Sequence, residues 1–469
     1  ADFYRLGAFF ADIDDEKHLE NAGFSKQNLN ALPTIRSPEV TIVGPFDRDR
    51  AAELDADIAA IRARLPPLVL PPRVQPVDPE SESVVADRIR LVALEKEREP
   101  LGRRLMVTRA LKEPRSVRIL PRGNWMDDSG TVVEPAIPAF LGALVPASEG
   151  RLTRADLARW LVAPLAEGGV GEFTARVTAN RLWALFFGAG LCRSAGDFGG
   201  QGELPDHPEL LDALALQFID GGWSVRDLVR TIVMSRAYRM TSAASADLLA
   251  RDPDNRLLAR QGRWRLPAEN VRDTALAVSG LLVERLGGDS VHPYQPAGYY
   301  RHLNFPGREY QIDKDDRQWR RGLYVHWQRM FLHPQLLAFD APNREECTAT
   351  RMKSNTPKAA LVLLNDPTFV EAARELAEIA LHADGDDDAR IAVIWKQTLS
   401  RPPDTEELAL VRGLLGRQRT AYRGDTAAAK DLLDVGIAPR DAALDPAELA
   451  AWTATARAVL NLHEAIARY

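Results

Sequence analysis

A mainly α-helical fold with one small β strap is predicted by three features of this 469-residue sequence. Helix-start signals recur along its second half. Apolar residues return at helical spacing over most of its length. Only one stretch alternates as a strand does.

Taken in order, residues 1–45 read as the end of a helix and an irregular strap, with Phe3, Leu6, Phe9 and Phe10 at helical spacing. This opening, with no basic and apolar leader ahead of it, reads as a truncation or processing point. Residues 46–113 read as an antiparallel helical hairpin. Its first arm places Ala52, Leu54, Ile58, Ile61 and Leu65 on one face and stops at Pro66-Pro67. Pro71, Pro72, Pro76 and Pro79 mark the turn. The second arm carries Val85, Ile89, Leu91, Leu94 and Leu101 among dense charge, the pattern of a solvated strut.

The β strap is expected over 114–148. Ser116–Leu120 alternates, Arg122-Gly123-Asn124-Trp125 turns, and Thr131-Val132-Val133 returns. A helical domain over 149–469 follows. Its starts are marked by Thr153 with Asp156, Ser224 with Asp227, Asp404 with Glu407 and Asp445 with Glu448, and by Pro208 and Pro267 at first helical positions. Val177, Leu182, Trp183 and Phe186 form one apolar face; Leu210, Leu211, Leu214 and Phe218 form another.

Composition narrows the functions. A net charge of −6 lacks the basic footprint of a nucleic-acid binder. The longest apolar stretch, near Ile137–Pro146, is broken by prolines and far short of the roughly 20 residues a membrane span needs. Cys192 and Cys347 have no zinc-site spacing, and read either as one bridge or as two separate thiols. His326 and His333 imply no metal site, and Asp384, Asp386 and Asp388 only imitate a calcium loop, because Ala389 and Trp395 stand where glycine and glutamate are required. Gly199-Gly200-Gln201-Gly202 sits among acidic residues that repel phosphate, and reads as a turn needing positive φ.

One segment stands out as a candidate ligand surface. Nine aromatics fall between Tyr294 and Phe331, against 7% aromatic content in the whole chain, and His292, His302, His326 and His333 share the neighbourhood. Much of it reads as Gly/Pro-rich loop, where binding residues concentrate. The candidate ligand-binding residues are Tyr299, Tyr300, His302, Arg308, Tyr310, Trp319, Arg320 and Trp327, joined by Arg344 and Arg351 from the polar run that follows. Flat rings flanked by charge suit a saccharide, and the competing account is that the rings pack the loop onto the helices. Arg344 and Arg351 either lock their loop through carboxylates or build a carboxylate or sulfate pocket. A carboxylate pair drawn from Glu309, Asp313, Asp315 and Asp316 would instead suit a carbohydrate-active hydrolase.

Several strings occur together in a telling order. They are Ala179-Asn180-Arg181-Leu182-Trp183, Asp197-Phe198-Gly199, Pro205-Asp206-His207-Pro208-Glu209-Leu210-Leu211-Asp212 and Asp252-Pro253-Asp254-Asn255-Arg256. Arg320-Arg321-Gly322-Leu323-Tyr324, Phe339-Asp340-Ala341-Pro342 and Leu363-Leu364-Asn365-Asp366-Pro367 follow. Over about 150–375 the chain thereby resembles the C-terminal planctomycete-specific domain of large secreted, cytochrome-c-associated proteins. The resemblance implies export to the periplasm or cell surface and a c-type haem domain in an N-terminal part beyond this segment. It also implies an aliphatic residue at the Cys192 position, against a bridge to Cys347, and it carries no catalytic residues with it. No Cys-x-x-Cys-His occurs, so no cofactor is expected in this segment itself. The expected function is an exported binding or assembly module contacting polysaccharide or a protein partner, with a hydrolase or a structural domain of a cell-surface assembly as alternatives.

Overall fold

The structure is a computed structural model that describes residues 1–13, 39–45, 47–65, 82–147, 149–303 and 309–468. It is mainly helical, 52% helix, with small antiparallel strand pairs. The chain divides into two compact units, Ala1–Leu157 and Ala158–Tyr469.

In the first unit, α1 (Asp2–Ala8) buries Ala8 and leads into buried Phe9, while Phe3, Leu6 and Phe10 remain exposed. Its apolar face is therefore narrower than the spacing implied. The hairpin forms from α2 (Arg48–Arg64) and α3 (Glu82–Arg98). Arg50 pairs with Glu97 at 2.6 Å and Arg64 with Asp87 at 3.1 Å, which makes the arms antiparallel. Ala51, not Ala52, joins Leu54, Ile58 and Ile61 in the buried seam, and Val85 and Ile89 lie outside it. On the second arm the seam carries Val84, Leu91 and Leu94, which are half-buried. The proposed stop at Pro66-Pro67 and the proline-rich turn lie outside the described residues.

The β strap is present: β3 (Val117–Arg118) pairs with β4 (Val132–Val133) across a turn where Arg122 takes a φ of 52°. A further antiparallel pair, β1 (Glu39–Val43) with β2 (Gly102–Met106), brackets the hairpin. It was invisible in the sequence because its register depends on two segments some sixty residues apart.

The second unit begins within α4 (Arg154–Val162) and holds three apolar clusters. The first is built from α5 (Gly171–Phe187), α6 (Pro208–Asp220) and α7 (Val225–Met234). Ala175, Ala179, Trp183 and Phe187 form the buried stripe of α5, shifted from the expected Val177, Leu182 and Phe186, which are only half-buried. After α8 (Ala246–Arg251) comes the second cluster, which gathers α9 (Ala268–Val278), α10 (Pro334–Ala338) and α11 (Pro357–Asn365) around the irregular stretches 291–303 and 309–333. The third is a bundle of α12 (Pro367–His382), α13 (Asp387–Leu399), α14 (Thr405–Gly424), α15 (Thr426–Leu433) and α16 (Pro446–Leu460) around buried Trp452. Strand β5 (Trp264–Arg265) pairs with β6 (Ala467–Arg468), returning the chain end to the middle of the unit.

The caps explain these starts. Thr153 and Asp156 bond reciprocally, as do Asp404 and Glu407. Ser224 accepts from Asp227 N at 3.3 Å and Asp445 from Glu448 N at 2.9 Å. Pro208 is the first residue of α6, whereas Pro267 stands one place earlier, at the cap of α9. Asp386 caps α13, so the acidic run is a helix start. Gly199, Gly200 and Gly202 do not take positive φ. Gly202 is needed for space instead: a Cβ there would lie 2.0 Å from the carbonyl oxygen of Asp197.

Candidate functional site

The aromatic segment folds inward. Tyr299 donates to the carbonyl of Leu332 at 3.0 Å, and Tyr310 to that of Pro293 at 2.7 Å. Tyr300 is buried between Tyr310 and Phe331, both edge-on. Trp319 donates its Nε1 proton to Glu371 at 2.9 Å. Arg320 is buried, donates to the carbonyl of Arg285 at 2.8 Å and stacks 3.8 Å from the Tyr324 ring centre. Trp327 packs against the second cluster and is covered by the Arg344 guanidinium at 3.6 Å. These residues were expected to present rings to a ligand; they are packing groups, because their rings pack on one another and on the second cluster, and the tips of Tyr299, Tyr310, Trp319 and Arg320 are spent on acceptors within the same unit. His302 is exposed, and Arg308 lies outside the described residues. Arg351 is exposed and paired with Glu269 at 2.7 Å, a locking role rather than an open anion pocket.

Two of the four carboxylates considered for hydrolysis are engaged as well. Asp313 accepts from His292 N at 2.7 Å and pairs with Arg317, and Asp315 caps the turn Asp316–Trp319 while also holding Arg317.

Behind the aromatics lies a buried polar network. Glu371, fully buried on α12, accepts from Tyr294 Oη at 3.1 Å, Trp319 Nε1, and the amides of Ile437 and Ala438, each at 2.7 Å. Burial and the Glu371 charge push the Tyr294 phenol well above its usual range. Arg272, fully buried on α9, donates to Gln335 and Thr368 at 3.1 Å each and to the carbonyl of Gln318. Asp366 caps α12 through Thr368 N, and desolvation raises its carboxyl to about 6. His333 lies 2.9 Å from the carbonyl of Tyr294, and burial, aided by Arg272, pushes it down to about 3. This network holds the segment in place.

A cavity of about 530 Å³ lies elsewhere in the same unit, between the C-terminal end of α5 and residues 242–264. Trp183, Phe187 and Trp264 contribute its apolar wall, and Arg193, Asp206, His207, Asp254, Asn255, Arg256, Arg260 and Arg263 its polar wall. Gly188 makes the wall close-fitting: its φ is +80°, and a Cβ would lie 2.6 Å from the Trp264 ring. The polar wall joins two segments some fifty residues apart. Arg256 donates to Asp206 at 2.8 Å, and His207 donates its Nε2 proton to the carbonyl of Arg256 at 2.9 Å. Arg193 spans to the carbonyl of Asp254 at 2.9 Å.

The loop 252–260 is unusually constrained. Asn255 and Leu258 both adopt a φ of +53°, costly for a leucine, and such backbone strain concentrates at functional sites. Buried Asp252 accepts from the amides of Arg256 and Leu257 at 2.7 and 2.9 Å. Burial opposes its ionisation, but those amides, with Arg260 and Arg193, hold its carboxyl below the ordinary range. The sequence signal for this site was present: Pro205–Asp212 and Asp252–Arg256 are two of the strings that carried the resemblance. Nothing in their composition said that they face one another.

Cys192 is a buried free thiol on the loop that Asn180 ties to α5, and Cys347 is exposed and also free. Among the described residues no group of three or more His, Cys, Asp or Glu could hold a metal ion, and no helix is long and apolar enough to cross a membrane.

Fold and cavity together define a helical domain with a polar, arginine-rich pocket. Its family is PSD1, "Protein of unknown function (DUF1553)", which matches residues 153–415, more than half of the chain; the chain belongs to that family. Cavity and aromatic segment fall within the matched residues, as does the buried network apart from the amides of Ile437 and Ala438. No curated protein and no solved structure matches the chain.

Proposed function

We propose that this chain is the binding module of an exported protein of the planctomycete-specific, cytochrome-c-associated kind, and that its cavity holds a saccharide. The observation that carries the reading is the cavity itself, about 530 Å³ with indole walls on one side and convergent hydrogen-bonding groups on the other. That volume is within the range of small-molecule sites, and the pairing of aromatic faces with fixed polar groups suits a sugar ring. The commitment of Asp313 and Asp315 to Arg317 disfavours hydrolysis at the aromatic segment.

Calorimetry of the full chain against a panel of neutral and acidic oligosaccharides tests this reading. Ala243→Trp, at an exposed position on the cavity wall, is expected to weaken binding at least about tenfold by filling the site, with the melting temperature unchanged. Undiminished binding by that variant would place the saccharide elsewhere.

Any haem c of the longer protein is proposed to be carried outside this segment, since the chain has only Cys192 and Cys347 and no attachment motif. The isolated chain is expected to show no Soret band after denaturation and acid–acetone extraction. A persistent band would overturn that assignment.

A further inference from the structure

We propose that the cavity recognises an anionic oxygen group on its saccharide, a carboxylate or a sulfate ester, seated against Arg260. This rests on the cavity being the binding site and adds the charge class of its ligand.

Four arginines line the cavity (Arg193, Arg256, Arg260 and Arg263) against two aspartates, Asp206 and Asp254. Two of these arginines already hold acidic partners. Asp206 is shared by Arg256 and Arg193, and Glu203 pairs with Arg256 at 3.4 Å. Asp252 accepts from the two backbone amides that fix the loop, and its charge also acts on Arg260 and Arg193 without a direct hydrogen bond to Arg260.

Arg260 is the exception. It is only 7% exposed, and its Nη2 donates to the carbonyl of Pro253 at 2.8 Å. Its Nη1 is sealed from bulk solvent and has no acceptor among the described residues. A buried guanidinium with an unmet donor is costly, and an incoming carboxylate or sulfate oxygen would remove that cost with a charge-assisted bond. The group is also held ready. Asn255 clamps the Arg260 backbone from both sides, accepting from its amide at 3.3 Å and donating to its carbonyl at 2.8 Å. Lys353, 3.4 Å from the carbonyl of Gly188, and Arg468, 5.3 Å from the Trp264 ring centre, place further positive charge beside wall residues without lining the cavity themselves. Asp254 would repel an anion at its own side, so the acidic group belongs toward Arg260 and the sugar hydroxyls toward Asp254.

The test compares three probes on the full chain by calorimetry: a galacturonate trimer, a sulfated galactan oligosaccharide without carboxylates, and the matching neutral galactan. At least one acidic probe is expected to bind about tenfold or more tightly than the neutral one. The two acidic arms tell carboxylate from sulfate recognition. Arg260→Met should abolish the preference, so that acidic and neutral probes bind alike. Equal binding of all three probes by the native chain overturns the anion proposal and leaves the binding reading standing, whereas binding of none defeats both. Should Arg260→Met fail to fold, the native chain still decides: the preference must shrink as salt is raised, and inorganic sulfate must compete. A preference indifferent to both overturns the proposal.

Discussion

Trp319→Ala is expected to lower the unfolding free energy by about 3–5 kcal/mol, the cost of removing a large packed aromatic. Its indole is half-buried, and its Nε1 proton is one of the donors that hold the fully buried Glu371 carboxylate. The substitution therefore opens a cavity and also leaves an anion short of a donor, two costs that reinforce one another. Trp319→Phe separates them. It keeps most of the ring, loses the donor, and should cost about 1–3 kcal/mol. Trp125→Ala is the control, since that side chain is 81% exposed and its loss should fall within about 0.5 kcal/mol of neutral. Urea denaturation measures all three. A loss below about 1 kcal/mol for Trp319→Ala would return the aromatic segment to the surface and revive it as a ligand face.

Acidification should destabilise the chain through His333, and His333→Gln should remove that contribution. The folded imidazole titrates at about 3, against 6.5 for an ordinary histidine. The unfolded chain binds the proton first, so this stabilisation is complete above 6.5 and is lost as pH falls toward 3. Across the whole window the loss is about 5 kcal/mol. Asp366 acts in the opposite sense. Its carboxyl sits at about 6 rather than 3.8, so its share favours the fold below 3.8 and is lost as pH rises through 6. Acidification across that interval therefore returns about 3 kcal/mol, less than His333 removes. Melting temperatures between pH 7 and 4 report the difference. The native chain should lose more stability on acidification than His333→Gln, whose side-chain amide can still donate to the carbonyl of Tyr294. Identical acid dependence of the two proteins would exclude His333 as the cause.

The helices were legible because their causes are local. A cap such as Asp404 with Glu407, or the Leu211, Leu214 and Phe218 stripe of α6, lies within a few residues of the backbone it directs. The arms of the antiparallel hairpin were likewise set by short-range pattern, and the β3–β4 strap by pattern and turn chemistry. Family membership was legible for a related reason, because its strings keep their order along the chain whatever they touch.

Tertiary structure alone decided which faces are inside. Tyr294 and Trp319 have the composition of a ligand surface and of a packed loop equally well. Their fate depends on Glu371, which arrives from a helix 52 residues beyond Trp319. The cavity is the same lesson in reverse. Asp206 meets Arg256 across 50 residues, and Trp264 is held in the wall by pairing with Arg468 at the far end of the chain. Hydrogen bonds within a helix turn are written in neighbouring residues, whereas burial and the pairing of charges are properties of which distant segments come together.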